Sequence, residues 1–469
     1  MKVLFVYHTK DILSRTQRIA PLTHPLLAAY TPADIEVSII DEAFEEIDFD
    51  QEVDLVATTI IVSQAPRAYE VAREFRKRGK KVICGGPHAT LMPEEAARHF
   101  DSVVIGQGDL TWPSALNDFK HGKLKQFYIN TAEINMENIP FARRDLINSK
   151  GYSILNTIQA TRGCPFSCTY CTTRTIYPKF STIPVNRVVS EIDQFEGGPL
   201  QKKIFVFLDD NLMADPFWAK RLFREMTPLG KLWLGQSTFS VTRDEELVRL
   251  ASRGGCRCLF MGLESFNPFS LSGCNKTHNA VESYKDGIKL LHDNGISIFA
   301  GIMFGFDDDK KDIFEITLEN CIQLGIDIVA ANILVPYPGT ALFQSLQRAN
   351  RIIHTDWARY NGKHAVFRPR QMTPEELEDG RNWFNWEIHS FHSILKCAWA
   401  SKVIPWLTLP INLATYRNRN CHVPDTRKKG KVSMGPSGKS LSPDSPENTL
   451  PSVSSVPQAS PCSAGTSEP

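Results

Sequence analysis

The sequence predicts an α/β protein made of two parallel-sheet units in tandem. The first is a Rossmann-like, doubly wound unit, the second a partial (βα)6 barrel, and a helical extension follows. Three observations carry this expectation. Short apolar or β-branched runs alternate with helical patterns over residues 1–125, and a second series of six such runs spans 151–345. Alternation of this kind argues for parallel strands covered by helices. The length, 469 residues, allows two or three domains and a sizeable core.

In the first unit the expected strands are Lys2–Tyr7, Glu36–Ile40, Leu55–Ile60, Lys81–Cys84 and Ser102–Ile105, with a helix at Pro66–Arg78. Met1–Tyr7 is too short and too unflanked for a signal peptide and reads as the first strand. Ligands of such sheets sit beyond the carboxyl ends of the strands. Two glycine loops fall there, Gly85-Gly86-Pro87-His88 and Gly106-Gln107-Gly108-Asp109. Taken alone, these glycines are equally compatible with tight turns. Residues 126–150 read as a linker.

The barrel strands are expected at Ser153–Ala160, Lys203–Leu208, Leu232–Phe239, Arg257–Leu263, Ser297–Phe304 and Asp327–Val335. Catalytic groups of such barrels lie at the carboxyl ends of the strands. Polar residues cluster there: Asp209-Asp210-Asn211, Gln236, Glu264-Ser265 and Pro336-Tyr337-Pro338-Gly339-Thr340. Each is also a plausible turn or helix cap. Asp307–Asp309 reads as a solvated turn, and Phe304-Gly305-Phe306 beside it as cavity wall.

The most specific signal is Thr161-Arg162-Gly163-Cys164-Pro165-Phe166-Ser167-Cys168-Thr169-Tyr170-Cys171. With eleven cysteines in the chain, random placement would give this spacing about 0.006 times. Three thiolates suit an iron–sulfur cluster with one iron left open. The alternative is a zinc site, completed by His8, His24 or Cys256, but no second CxxC accompanies the triplet. A disulfide framework fits poorly, because the cysteine usage looks like that of a reducing, cytoplasmic compartment.

The triplet resembles the cluster motif of the radical S-adenosylmethionine (SAM) enzymes. The resemblance implies a [4Fe–4S] cluster on Cys164, Cys168 and Cys171, whose open iron binds SAM and cleaves it to a 5′-deoxyadenosyl radical. It also places Tyr170 near the adenine, and Asp209, Asp210 and Glu264 near the SAM amino group and ribose. Gln236 and Tyr337 join them as strand-end candidates. Gly85-Gly86-Pro87-His88-Ala89-Thr90, Pro93-Glu94-Glu95 and Val104-Ile105-Gly106-Gln107-Gly108-Asp109 are similar to the cobalamin-binding domain of one radical SAM subclass. Gly85, Gly86, Gly106 and Gly108 are its candidate cofactor loops. The Asp-x-His-x-x-Gly motif is absent, so any cobalamin is expected base-off, without a protein imidazole on cobalt. The extension, with Asp356–Gly362, Phe367-Arg368-Pro369 and a capping box at Thr373–Glu376, resembles that of the hopanoid C-2 methylases. The implied activity is methylation of an unactivated carbon. Radical oxidation, cyclisation or rearrangement without methyl transfer remains open, as does a non-catalytic iron–sulfur protein. No catalytic acid or base is assigned.

The implied partners are a small, lipid-like substrate and a reducing donor such as flavodoxin or ferredoxin. The near-zero net charge, +1, gives no field for nucleic acid. No apolar run is long enough for a transmembrane helix. Residues 346–423 are expected to form a helical extension whose apolar stretch 398–416 either packs on the barrel or touches a membrane surface. Residues 424–469, rich in Ser, Pro and Gly, are expected to be disordered.

Overall fold

A computed structural model describes residues 1–8, 19–130, 132–401, 403 and 405–419. The expected disordered tail, 424–469, lies outside the described residues.

The first sheet has six parallel strands: β1 (Lys2–Tyr7), β2 (Glu36–Asp41), β3 (Leu55–Thr59), β4 (Lys81–Gly85), β5 (Ser102–Ile105) and β6 (Phe127–Ile129), in the order β2-β1-β3-β4-β5-β6. Phe5 on β1 stands opposite Ile39 on β2 and Ala57 on β3. Helix Ala65–Lys77 covers one face, where Ala68, Val71 and Phe75 pack with Leu4, Val56 and Val82. Helix Thr111–Lys120 covers the other, where Trp112 and Leu116 pack with Val3, Phe5 and Ile83. Burial on both faces explains why β1, β3, β4 and β5 read as continuous apolar runs rather than alternating ones; β2 stays partly exposed at the sheet edge. The order reverses between β1 and β3, which opens a crevice at the carboxyl ends. The sixth strand corrects the linker reading: Phe127–Ile129 pairs parallel with β5.

The second sheet is also six-stranded and parallel. Its strands are β7 (Asn156–Ile158), then, after the two short strands β8 (Thr161–Arg162) and β9 (Ser181–Thr182), β10 (Ile204–Phe207), β11 (Leu232–Gln236), β12 (Cys256–Glu264), β13 (Ser297–Phe304) and β14 (Ile328–Ile333). They run in sequence order from β7 and β10 to β14. Among the described residues β7 does not pair with β14, so the barrel is open, as the (βα)6 pattern predicts. All six expected strands are present. The third ends earlier than expected, because Phe239 has already entered a 3-10 turn, Phe239–Arg243.

Beyond the barrel, Thr373 caps helix Pro374–Ile388: its hydroxyl accepts from the Glu376 amide at 3.2 Å, and Glu376 Oε2 accepts from the Thr373 amide at 2.9 Å. Such a cap contributes about 1 kcal/mol. The acidic run after β13, Asp307–Asp309, departs from its sequence reading. Asp309 is buried, with its carboxylate accepting from Ser270 Oγ and from the Gly305 and Phe306 amides. Asp307 pairs with Arg351 and Arg370. Phe304 and Phe306 belong to the core rather than a cavity wall, and Leu377 of the following helix closes over Gly305. Three consecutive acids look solvated in sequence; here a strand end buries one of them to satisfy its own amides.

Candidate active site

β7 delivers the chain to the carboxyl edge of the barrel, where β8 and β9 pair antiparallel and tie off a loop containing residues 163–180. Gly163 turns the chain into this loop at φ +82°, and a Cβ there would lie 2.7 Å from the Lys179 carbonyl oxygen. Only glycine fits that turn. Cys164 and Cys168 are half-buried and Cys171 is exposed; all three are free thiols.

The loop is stitched into place by segments that follow β12 and β14. The Thr169 amide donates to the Cys274 carbonyl at 3.0 Å, and the Leu342 amide to the Thr169 carbonyl at 2.9 Å. Asn275 Nδ2 donates to Ser167, and His278 stacks on Phe166 with ring centroids 3.7 Å apart. Asn211, fully buried, points its Nδ2 at Cys164 Sγ, 3.7 Å away. Burial pushes the Cys164 and Cys168 thiols up, opposed by the Asn211 contact and by the Lys276 ammonium, respectively.

Glu264 closes β12 in an unusual conformation. Its φ is +65°, and the pairing register with β13 slips between Gly262 and Glu264. A non-glycine residue held there is strained, and such strain gathers at functional sites. The carboxylate is buried and accepts from Lys276 Nζ at 2.7 Å and Tyr170 Oη at 3.1 Å. Burial disfavours the Lys276 charge, but Glu264 more than offsets this and the ammonium pKa is raised. Lys276 is absent from the sequence-based candidates. Its partner lies twelve residues away across a helix, and no local pattern marks it.

The two aspartates after β10 divide the work. Asp209 turns inward: its Oδ1 accepts from the Ala160 amide and from the Thr161 amide and hydroxyl, which braces the strand end that starts the cysteine loop. Its Oδ2 is buried without a hydrogen-bond partner among the described residues. Burial lifts its pKa to about 7. A raised folded-state carboxyl pKa favours the folded protein below the ordinary carboxyl range, and that contribution is lost as pH rises to about 7. Thermal unfolding of the metal-free chain is expected to show this loss between about pH 4 and 7, and Asp209→Asn to flatten it. An unchanged pH profile in the variant would remove Asp209 as the cause. Asp210 instead lines a cleft and accepts from Thr173 Oγ1 at 3.4 Å, while Gln236 Nε2 donates to its carbonyl at 3.2 Å. Tyr337 is half-buried on the loop after β14, its carbonyl accepting from the Thr340 hydroxyl.

This cleft, about 460 Å³, opens between the carboxyl ends of the two sheets. Gly85, Gly86, Gly106 and Gly108 line one side; Gln159, Arg162, Tyr177 and Asp210 line the other. Gly86 (φ +92°) packs so closely on the β3 end that a Cβ would sit 2.6 Å from Thr59 Cγ2. Gly106 (φ +80°) faces open space. No histidine lines the cleft among the described residues. His8 is held between Glu42 and Thr58, and His24 is buried in a stack on Tyr7. Cys256 begins β12, at the end of the sheet away from the cysteine loop. The three alternative zinc ligands are therefore committed elsewhere.

The comparisons with known proteins agree with this geometry. A family model described as the radical SAM superfamily matches residues 158–320, and one described as the B12 binding domain matches 14–116. The bacteriochlorophyllide d C-12(1)-methyltransferase of Chlorobaculum tepidum is 31% identical over 386 residues, 80% of this chain and 84% of that protein. The chain belongs to the radical SAM superfamily. Within it, this chain is of the B12-binding kind. It is 24% identical to the hopanoid C-2 methylase of Rhodopseudomonas palustris over 346 residues, 71% of this chain and 65% of that one. Its fold is shared with two solved cobalamin-dependent radical SAM proteins. OxsB superposes with a TM-score of 0.68 at 13% identity, over 89% of this chain and 71% of that one. TsrM from Kitasatospora setae gives 0.59 at 17%, over 74% and 78%. The cofactors of this radical SAM class are a [4Fe–4S] cluster, SAM and cobalamin.

The residues present fit these groups. Among the described residues no three His, Cys, Asp or Glu side chains gather tightly enough for a single metal ion. Three free cysteine thiols gathered on one loop supply the soft sulfur donors that an iron–sulfur cluster takes. The cleft beside it has a glycine wall without side-chain bulk at Gly106. Among the described residues no helix is long and apolar enough to cross a membrane.

Proposed function

We propose that the chain is a cobalamin-dependent radical SAM methyltransferase acting on an unactivated carbon of a small apolar molecule. The observation that carries this reading is the single cleft shared by the glycine loops of the first sheet and the cysteine-loop side of the second. When bound, the cluster supplies the electron that cleaves SAM to the 5′-deoxyadenosyl radical, and cobalamin supplies a methyl carrier.

In this reading Cys164, Cys168 and Cys171 hold the cluster, and Asn211 steadies the Cys164 sulfur. Glu264 and Lys276, with Tyr170, Asp210, Gln236 and Tyr337, bind and orient SAM; Asp209 supports the loop from behind. Gly85, Gly86, Gly106 and Gly108 receive cobalamin base-off, since the cleft offers no imidazole. The apolar walls of the cleft, Phe5, Leu26 and Ile83 among them, exclude water from a reactive radical. The named substrates of the relatives, a bacteriochlorophyllide and a hopanoid, motivate an apolar substrate class. Cys171 is exposed, which leaves that edge of the loop within reach of a flavodoxin- or ferredoxin-type donor. In this reading 1–125, with the edge strand Phe127–Ile129, serves cobalamin, the rest of 126–150 connects, 151–345 is the SAM core and 346–423 the extension.

Protein purified without oxygen and reconstituted with iron, sulfide and hydroxocobalamin tests the assignment. The expected result is iron at cluster stoichiometry, one cobalt per chain, and SAM cleavage under reduction. Iron and SAM cleavage without retained cobalt would move the chain to radical chemistry without methyl transfer.

The extension adds a second contact. Phe391, Leu395 and Trp399 recur at four-residue spacing along helix Phe391–Ser401, all exposed, Trp399 by 84%. No acidic residue occurs between Glu387 and Asp425, while Lys396, Lys402, Arg417 and Arg419 do. An apolar stripe on a helix that carries Lys396, in a stretch of sequence without acids, suits an anionic lipid surface, where an apolar substrate would be met. Phe391→Ser/Trp399→Ser should lower co-sedimentation with phosphatidylglycerol vesicles about tenfold or more. Equal sedimentation of both proteins would leave the stripe without this role.

A further inference from the structure

Arg162 is a buried charged residue at the end of the short strand β8, two positions before Cys164. Its side chain is only 4% exposed, and that of Asp109, from the glycine loop of the first sheet, 7%. The two form a forked pair: Nη1 to Asp109 Oδ2 at 2.8 Å and Nη2 to Oδ1 at 2.9 Å. Nη1 also donates to Gln107 Oε1 at 2.9 Å, and Nε to Gln159 Oε1 at 3.1 Å. Tyr30 donates to Asp109 Oδ1 at 2.9 Å. Every donor of this cluster line the same cleft as Gly106 and Gly108.

We infer that Arg162 and Asp109 are positioning residues that lock the glycine loop of the first sheet to the start of the cysteine loop, and so set the spacing between the two cofactor sites. The inference rests on the proposed function above. A buried, fully bonded ion pair is a weak source of net stability but a strong source of geometric specificity when its partners come from two separate elements. Here one partner, Asp109, sits between Gly108 and the following helix, and the other, Arg162, ends β8 next to Gly163. Each loop has ties of its own, the cysteine loop through Thr169, Leu342 and the β8–β9 pairing and the glycine loop through the Gly106 amide donating to Thr90 Oγ1, but the fork joins one loop to the other. Other contacts join the two units, such as Trp357 Nε1 to Glu95 at 2.6 Å and Tyr152 Oη to Asp41 at 2.5 Å. Loss of the fork should therefore loosen the two loops without separating the sheets.

The test uses the full chain. Single variants leave a buried charge unpaired, so Arg162→Gln/Asp109→Asn is the main variant and Arg162→Lys its conservative partner. In the double variant, amide hydrogen exchange at residues 106–109 and 161–171 is expected to accelerate at least tenfold in the cofactor-free protein, with β3 and β12 unchanged. Hydroxocobalamin, titrated by absorbance, should bind at least tenfold more weakly while reconstituted iron content is retained. Arg162→Lys keeps the charge without the fork; it should recover the melting temperature but not the hydroxocobalamin affinity. Wild-type exchange and wild-type affinity in the double variant would overturn the inference, as would full recovery of affinity by lysine. If the unsubstituted chain itself retains no cobalt, the cofactor reading fails, and the exchange data still decide whether the fork locks the loops.

Discussion

Cys164→Ala, Cys168→Ala and Cys171→Ala are each expected to yield folded protein that has lost most of its reconstituted iron and all detectable 5′-deoxyadenosine formation. The expectation follows from the ligand count. Three protein thiolates leave no spare, so removing one leaves an iron without its sulfur. The loop itself survives, because it is held by the Thr169 amide, the Leu342 amide and the β8–β9 pairing rather than by the thiols. Cys256→Ala and Cys321→Ala are the controls. Both are fully buried, Cys256 at the far end of β12 and Cys321 inside helix Ile313–Gln323, and both should keep iron and SAM cleavage. Iron content by absorption and metal analysis, with 5′-deoxyadenosine by chromatography, checks both sets. Full iron and turnover in Cys164→Ala would end the assignment of the triplet.

Glu264→Ala is expected to have the second largest effect, and through two separable causes. It strands the Lys276 ammonium in a buried site, which costs about 3–5 kcal/mol when one partner of a buried pair is removed. It also removes the carboxylate proposed to meet SAM. Glu264→Gln/Lys276→Met separates the two. With no unpaired charge left, its unfolding midpoint should return most of the way to that of the unsubstituted protein. SAM affinity, by equilibrium dialysis of the reconstituted protein, should stay at least tenfold weaker, about 1.4 kcal/mol. Recovery of both stability and affinity would make the pair purely structural. Glu264→Gly adds a further reading: relief of the +65° backbone should soften the stability loss relative to alanine, with no gain in SAM binding.

The strands of both sheets were legible because most are apolar runs bounded by polar turns; burial on both faces leaves that mark in β1, β3, β4 and β5, while β2 and β11 are only partly buried. Phe127–Ile129 was not, since three residues carry no period and β6 is a strand only because β5 offers it an edge. β8 and β9 are shorter still. The cysteine triplet was legible because its three thiols lie within eight residues, so spacing alone puts them on one loop. The glycine loops and Asp210 were legible as strand-end features, and they meet in one cleft. Asp209 was grouped with Asp210 by adjacency. Successive residues leaving a strand point opposite ways, which is why one braces the protein interior and the other faces the cleft.

The sequence by itself determined the two parallel-sheet units, their order, and the cysteine loop at a strand end, because each depends on residues close together in the chain. Only the tertiary structure decided that Lys276 meets Glu264 and Tyr170, that Asn211 reaches Cys164, that Asp309 is buried, and that Arg162 grips Asp109 across fifty-three residues. Those pairings arise at strand ends and the loops that follow them, and the last joins the two sheets. A charge there is stabilised only by whatever opposite charge the fold places beside it in a poorly solvated cleft, and no local pattern records which residue that will be.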